Sequence, residues 1–191
     1  MEKIISSIRN VCPVSDSSIE ALTRHMKLLK LPKKTVLIKS GEIDKNYYFI
    51  EKGITRSYCL IDGEETTTWF STEGDVTFSM LSCYENKAGY EYVDLLEDAV
   101  IYSIPIHALN TLYETNIEIA NWSRLLHQKA FLDLELRHIA LITQSAKERY
   151  ENFICEKADL FKRVNLGYIA SFLGVTQVTL SRLRAERSFL T

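Results

Sequence analysis

The stretch Leu166-Gly-Tyr-Ile-Ala-Ser-Phe-Leu-Gly-Val-Thr-Gln-Val-Thr-Leu-Ser-Arg-Leu-Arg184 decides how this chain is read. Leu166, Ile169, Ala170 and Leu173 recur at helical spacing, Gly174 stands where a helix stops in the left-handed region, and Thr176 can cap a second helix. Two short helices joined by a tight turn, a helix-turn-helix, are therefore expected. Val175, Leu180 and Leu183 would pack the second helix on the first, turning Gln177, Val178, Ser181 and Arg182 to the opposite face. That outward set suits a DNA major groove. Arg can pair bidentately with guanine, Gln with adenine, and Val can touch a thymine methyl, while Thr176, Thr179 and the helix N-terminus can hold phosphates. Arg184, one turn further on, completes the candidate DNA-binding set. The competing reading of the same residues is a plain helical hairpin within a structural bundle.

The 191 residues, 46% of them apolar, can bury a core and divide most readily into unequal modules. The net charge of −2 conceals an asymmetry: residues 1–144 carry 15 Lys/Arg against 20 Asp/Glu, whereas 145–191 carry 8 against 5. An acidic body with a basic end module suits a regulator whose small end meets nucleic acid. Cys12, Cys59, Cys83 and Cys155 are scattered, with no Cys-x-x-Cys pair and no His at ligand spacing, so no metal site and no cofactor are expected. No apolar run has the length of a membrane span and no signal-peptide core follows Met1, so a cytoplasmic protein with no membrane partner is expected.

Taken in order, Ser15 to Leu29 reads as an amphipathic helix, with Ser17 and Glu20 as a capping box, Ile19, Leu22, Met26 and Leu29 as its stripe, and Pro32 as its end. From Thr35 to Pro105 short runs rich in Val, Ile, Thr and aromatics are punctuated by Gly41, Gly53, Asp62-Gly63, Gly74 and Gly89. Asp62-Gly63 predicts a tight hairpin between the alternating run Ile54 to Ile61 and the run Glu65 to Ser71. A β sandwich or jelly-roll barrel follows from that spacing. Helical periodicity returns after Pro105. Asn116 to Thr143 predicts one long helix with two stripes: Trp122, Leu125, Leu132, Leu136 and Ile139 to cover the barrel, and Ile117, Ala120, Arg124, His127, Phe131, Leu134, His138 and Leu141 to meet a second copy in a parallel homodimer. Ser145-Ala-Lys-Glu148 caps a further helix through Tyr150, Phe153 and Ile154 to about Lys157, which braces the helix-turn-helix. The seven residues after Arg184 leave no room for a β-wing.

The order barrel, long helix, helix-turn-helix resembles the Crp/Fnr family of bacterial transcription regulators over nearly the whole chain. Gly41-Glu42, Tyr47-Tyr-Phe-Ile-Glu-Lys-Gly53 and Glu73-Gly-Asp75 are similar to that family's barrel glycines and the entry to its phosphate-binding cassette. Tyr168 to Thr176 and Leu180-Ser-Arg182 are similar to its DNA-reading segment. The resemblance implies an α+β fold: a cyclic-nucleotide-binding-like jelly-roll domain over 1–115, a dimerisation helix over 116–144 and a helix-turn-helix domain over 145–191, which the short stretch after Arg184 is expected to leave without a wing. It implies double-stranded DNA with an inverted-repeat operator, a second copy of the chain, RNA polymerase and a small-molecule effector as partners. The ligand pocket would be lined by Gly74, Asp75, Val76, Tyr90, Glu91 and Tyr92. Cyclic-AMP-binding members carry a Gly-Glu pair and, further on, an Arg for the phosphate. Here Asp75 stands in for the Glu, and Lys87-Ala-Gly-Tyr-Glu-Tyr-Val93 holds no Arg, with Glu91 and Asp94 adding negative charge. Lys87 is a flexible point charge rather than a bidentate fork.

Three functions compete at this point: a dimeric DNA-binding regulator sensing something other than cyclic AMP or nothing, a cyclic-nucleotide-responsive regulator with non-standard pocket residues, and a cupin-type barrel enzyme. The last would need a His/Glu metal set on the strands, and Thr35 to Pro105 contains no His. No nucleophile–base constellation is visible, so no enzyme is expected. His107, His127 and His138 are read as solvated or interfacial rather than as haem ligands.

Overall fold

A computed structural model describes residues 1–188 of the chain. It is a mixed α+β protein in which two four-stranded antiparallel sheets precede a run of helices, as the residue pattern predicted. The elements are α1 (Glu2–Val11), α2 (Asp16–Thr23), β1 (Lys27–Leu31), β2 (Val36–Ile38), β3 (Asn46–Lys52), β4 (Thr55–Ile61), β5 (Glu64–Ser71), β6 (Val76–Thr77), α3 (Met80–Glu85), β7 (Tyr92–Leu95), β8 (Ala99–Pro105), α4 (Ile106–Thr115), α5 (Ile117–Thr143), α6 (Ala146–Arg163), α7 (Leu166–Phe172) and α8 (Gln177–Ser188). One sheet has the order β1-β8-β3-β6 and the other β2-β7-β4-β5, the crossed order of a jelly roll. The chain forms two compact units, Met1–Cys59 with Trp69–Lys129, and Leu60–Thr68 with the residues from Ala130 onward. The division falls inside α5, after Lys129.

In the first unit the core is built from the apolar positions of β3 and β8, including Tyr47, Phe49, Ile101 and Ile104, and from helix residues packed on them. The hairpin between β4 and β5 turns on Asp62 and Gly63, both at positive φ (52° and 84°), as a two-residue type I′ connection requires. At Gly53 φ is +113°, and a Cβ there would stand 2.8 Å from that of Ala99, so no larger residue fits this crossing.

Two expectations near the N-terminus are corrected. Helix α1 was not anticipated, although Ile4 and Ile8 bury one face of it; its first turn is capped at long range by Glu51 of β3, which accepts from the backbone N–H groups of Lys3 (3.4 Å) and Ile4 (3.3 Å). The predicted helix Ser15 to Leu29 ends at Thr23, and Lys27–Leu31 is a strand. The run Lys-Leu-Leu-Lys-Leu fits either period locally, and pairing along its whole length with Ala99 to Ser103 of β8 decides for strand. The cap is Ser15, whose Oγ accepts from Ser18 N at 3.3 Å, rather than a Ser17–Glu20 box.

The long helix α5 runs from Ile117 to Thr143 as predicted, but its faces divide differently. Ile119, Trp122 and Ser123 are buried and Leu126 packs on the same core, so these residues cover the barrel. Leu132, Leu136 and Ile139, expected on that buried stripe, are exposed (50%, 56% and 46%), because the covered face ends within the first unit. His127, expected at a seam between copies, turns inward instead and is half-buried. Helix α6 begins with the predicted capping box, Ser145 Oγ accepting from Glu148 N and Ser145 N donating to Glu148 Oε2 (2.7 Å). The expected end at Lys157 is a break rather than a terminus: Lys157 leaves helical geometry (φ −132°, ψ 40°) and the helix resumes to Arg163.

Candidate nucleic-acid interface and effector pocket

Helix α7 starts at Asn165, whose Oδ1 accepts from Gly167 N (2.7 Å), and ends before Gly174 at φ +67°. A Cβ on Gly174 would lie 3.1 Å from Leu141 Cδ2, so left-handed geometry and packing both select glycine there. Thr176 then caps α8, its Oγ1 accepting from Thr179 N (3.1 Å) and lying 3.0 Å from Thr179 Oγ1. Leu180 is fully buried, with Ile169, Ala170, Phe172 and Leu173 of the preceding helix buried in the same unit. Behind them Phe153 of α6 packs on Phe172, with ring centroids 5.8 Å apart. Arg137 of α5 donates to Phe172 O (2.9 Å) with its guanidinium 4.3 Å from that ring's centroid.

With Leu180 directed inward, Gln177, Val178, Ser181 and Arg182 are exposed together, and Val178 is 62% accessible despite being apolar. Thr179 is half-buried and Thr176 exposed at the helix N-terminus. Arg184, seven residues on from Gln177, is exposed with its guanidinium 5.8 Å from the centroid of the Phe161 ring in α6. Of the expectation that no wing follows α8, the part concerning Phe189 to Thr191 lies outside the described residues. A broad cavity of about 640 Å³ opens beside the N-terminus of α8, lined by Arg149, Ser171, Gly174, Thr176 and Thr179 among others.

The expected ligand residues fall into two groups. Gly74 (φ +89°) and Asp75 form a turn in which Asp75 Oδ2 accepts from Thr72 N (2.8 Å) and Thr72 Oγ1 (3.2 Å), while Val76 pairs with Phe49 in β6. Tyr90, Glu91 and Tyr92 lead into β7: Tyr90 is exposed, Tyr92 stacks on Tyr58 with centroids 5.2 Å apart, and Glu91 is buried. The electrostatic reading of this region is corrected at Asp94. Its two carboxylate oxygens accept from Arg56 Nε (3.1 Å) and Nη2 (2.9 Å), a bidentate pair with a guanidinium that is 1% exposed. Asp94 therefore adds no free negative charge. In the sequence Arg56 is only a member of an alternating strand; a charged residue on such a strand, across from Asp94 in register, is the signal available.

A second cluster escaped the residue reading. Tyr47 Oη lies 3.1 Å from His127 Nε2, Ser123 Oγ 3.3 Å from His127 Nδ1, and Ser123 Oγ donates to Tyr113 Oη at 2.9 Å. The rings of Tyr47 and Phe78 stack at 4.1 Å, and Phe78 and Tyr84 meet the imidazole edge-on at 5.7 Å and 5.9 Å. Burial lowers the His127 pKa, against a smaller upward pull from the Ser123 backbone, and burial pushes Tyr113 up to about 12. Ser123 and His127 are one turn apart on α5, but Tyr47, Phe78 and Tyr84 come from far along the chain, so no local spacing announces the cluster.

A crossed antiparallel barrel followed by a long helix and a helix-turn-helix defines the fold of Crp/Fnr-type regulators. Residues 28–116 match the cyclic nucleotide-binding domain family. Among solved structures, the chain is similar to FixK2 from Bradyrhizobium japonicum (18% identity, 86% of this chain and 85% of that one, TM-score 0.76). It is also similar to CLP from Xanthomonas campestris, described as a c-di-GMP responsive global regulator (15% identity, 91% and 92%, TM-score 0.71). A transcriptional regulator assigned to the crp/fnr family from Eubacterium rectale is a third (17% identity, 91% and 85%, TM-score 0.69). No curated protein matches the chain by sequence at a significant level. Among the described residues, no helix is long and apolar enough to cross a membrane.

Proposed function

We propose that the chain is a homodimeric, DNA-binding transcription regulator of Crp/Fnr type whose barrel responds to an effector other than cyclic AMP. The observation that carries the reading is the two-faced helix α8: Leu180 is fully buried while Gln177, Val178, Ser181 and Arg182 are exposed on the opposite side of a capped N-terminus. An exposed apolar residue among polar ones on that face has a use in a major groove, where it meets a thymine methyl. Thr176 and Thr179 serve the phosphates beside that N-terminus, and Arg184 the flanking backbone. The dimer is supported by the exposed apolar residues Phe131 (71%), Leu132, Leu136, Ile139 and Ile142 (69%) on α5. Two-fold symmetry then sets two α8 helices on half-sites of an inverted repeat, spaced by about 10 bp or a multiple.

A genome-wide binding map of the full chain tests the reading, and inverted repeats at promoters are the expected outcome. Over variants of that operator, Arg182→Ala is expected to cost about 1–3 kcal/mol and to relax preference at one base position per half-site. A variant that keeps wild-type discrimination removes Arg182 from base reading. The match of residues 28–116 to cyclic nucleotide-binding domains favours a second reading, a regulator that binds a cyclic nucleotide through other residues. CLP's description as c-di-GMP responsive supports a fold that is not tied to cyclic AMP.

A further inference from the structure

Glu91 and Ser79 are buried in the first unit, 7% and 1% exposed, and Glu91 Oε2 and Ser79 Oγ have no hydrogen-bond partner. Both reach one point beside Gly89. A methyl built on Gly89 would stand 2.4 Å from Ser79 Oγ and 3.4 Å from each Glu91 carboxylate oxygen. Gly89 is itself fixed in place, its N–H donating to Glu42 O and its carbonyl accepting from Gly41 N (3.1 and 2.8 Å). Only glycine at this position lets a buried carboxylate and a buried hydroxyl converge so closely on the backbone. A burial of this kind is costly unless something meets the charge.

Three basic side chains of the same unit face other carboxylates. Arg56 holds Asp94 at 2.9 Å, Lys87 holds Glu85 at 2.5 Å, and Lys39 lies 4.0 Å from Glu42. The charge of Glu91 is felt by its neighbours instead: burial first and then Glu91 push the Cys59 thiol and the Tyr90 hydroxyl up. The described residues contain no group of three or more His, Cys, Asp or Glu able to hold a metal ion, so the donors suit N–H groups rather than a cation that needs several oxygen or sulfur ligands. We infer that Glu91 and Ser79 form a binding site for the ammonium or guanidinium head of a small organic cation, with Glu91 as counter-ion and Ser79 Oγ as second acceptor. This rests on the reading of the barrel as an effector domain and names the class of its effector.

The test is titration calorimetry of the full chain with n-butylammonium and putrescine, beside n-butanol and butyrate as neutral and anionic counterparts, in wild type, Glu91→Gln and Ser79→Ala. Both amines are expected to bind saturably in the millimolar range or tighter, and butanol and butyrate are not. A charge-assisted hydrogen bond corresponds to about tenfold to a hundredfold in affinity, so Glu91→Gln is expected to weaken the amines by that factor. It is also expected to melt no lower than wild type, because it removes an unpaired buried charge. Should it fail to fold, Ser79→Ala carries the test, with a smaller loss of amine binding. Absence of saturable amine binding in wild type overturns the inference, as does equal binding by a folded Glu91→Gln chain. Operator binding is measured on the same preparations. A chain that binds DNA and no amine overturns this inference and leaves the regulator reading standing, and one that binds amine and no DNA does the reverse.

Discussion

His127 shows how one residue's surroundings set a measurable property. Its imidazole lies between Tyr47 and Ser123 with three aromatic rings about it, and burial holds its pKa below the ordinary 6.5. The unfolded chain therefore takes up the proton before the folded one does. The stability this group contributes is fully present above pH 6.5 and is lost as the pH falls through the lower folded value. His127→Gln keeps a hydrogen-bonding side chain without the titration. Urea unfolding at steps from pH 6.5 down to about 5 is expected to show a shallower loss of stability in the variant than in wild type. Parallel slopes would remove His127 as a source of that pH dependence.

At the scale of elements, α5 carries the sharpest test. Phe131 is exposed, so Phe131→Asp is expected to leave the unfolding free energy of the monomer within about 0.5 kcal/mol. In a two-fold dimer the same change removes a buried ring from each copy at about 1.5–3 kcal/mol apiece, a loss of roughly a hundredfold to ten-thousandfold or more in association. Sedimentation is expected to give dimers for wild type and monomers for the variant; a wild type that is monomeric at micromolar concentration and still binds its operator tightly sinks the dimer. The elements that residue pattern predicted well, α7, α8 and the hairpin at Asp62-Gly63, are specified by local chemistry such as caps, a left-handed glycine and a two-residue turn. Those misread are specified at a distance. Helix α1 takes its cap from Glu51, β1 takes its conformation from β8, and the Arg56–Asp94 pair and the His127 cluster close only once the strands are in register.

At the scale of the molecule, charge is distributed unevenly, with an acidic excess before residue 145 and a basic one after it. The basic end suits phosphates; the barrel does not. Its buried guanidinium is committed to Asp94, and Glu91 adds an unpaired negative charge. Cyclic AMP and cyclic GMP are therefore expected to bind more weakly than micromolar, short of about −8 kcal/mol, and to leave operator affinity unchanged. Calorimetry with each nucleotide checks the first statement, and operator titration with and without it the second. A micromolar or tighter constant for either one establishes the cyclic-nucleotide reading instead.

The division of labour within α8 has a consequence for how such a protein can change. Leu180 anchors the helix, while Gln177, Val178, Ser181 and Arg182 contribute little to the interior. Substitutions at those four positions can therefore be explored at almost no cost in folding, typically within about 0.5 kcal/mol. A new target sequence is reachable by drift on an exposed face while the scaffold that presents it stays fixed. For a library aimed at altered operators, diversity belongs at these four codons and not at Gly174 or Leu180.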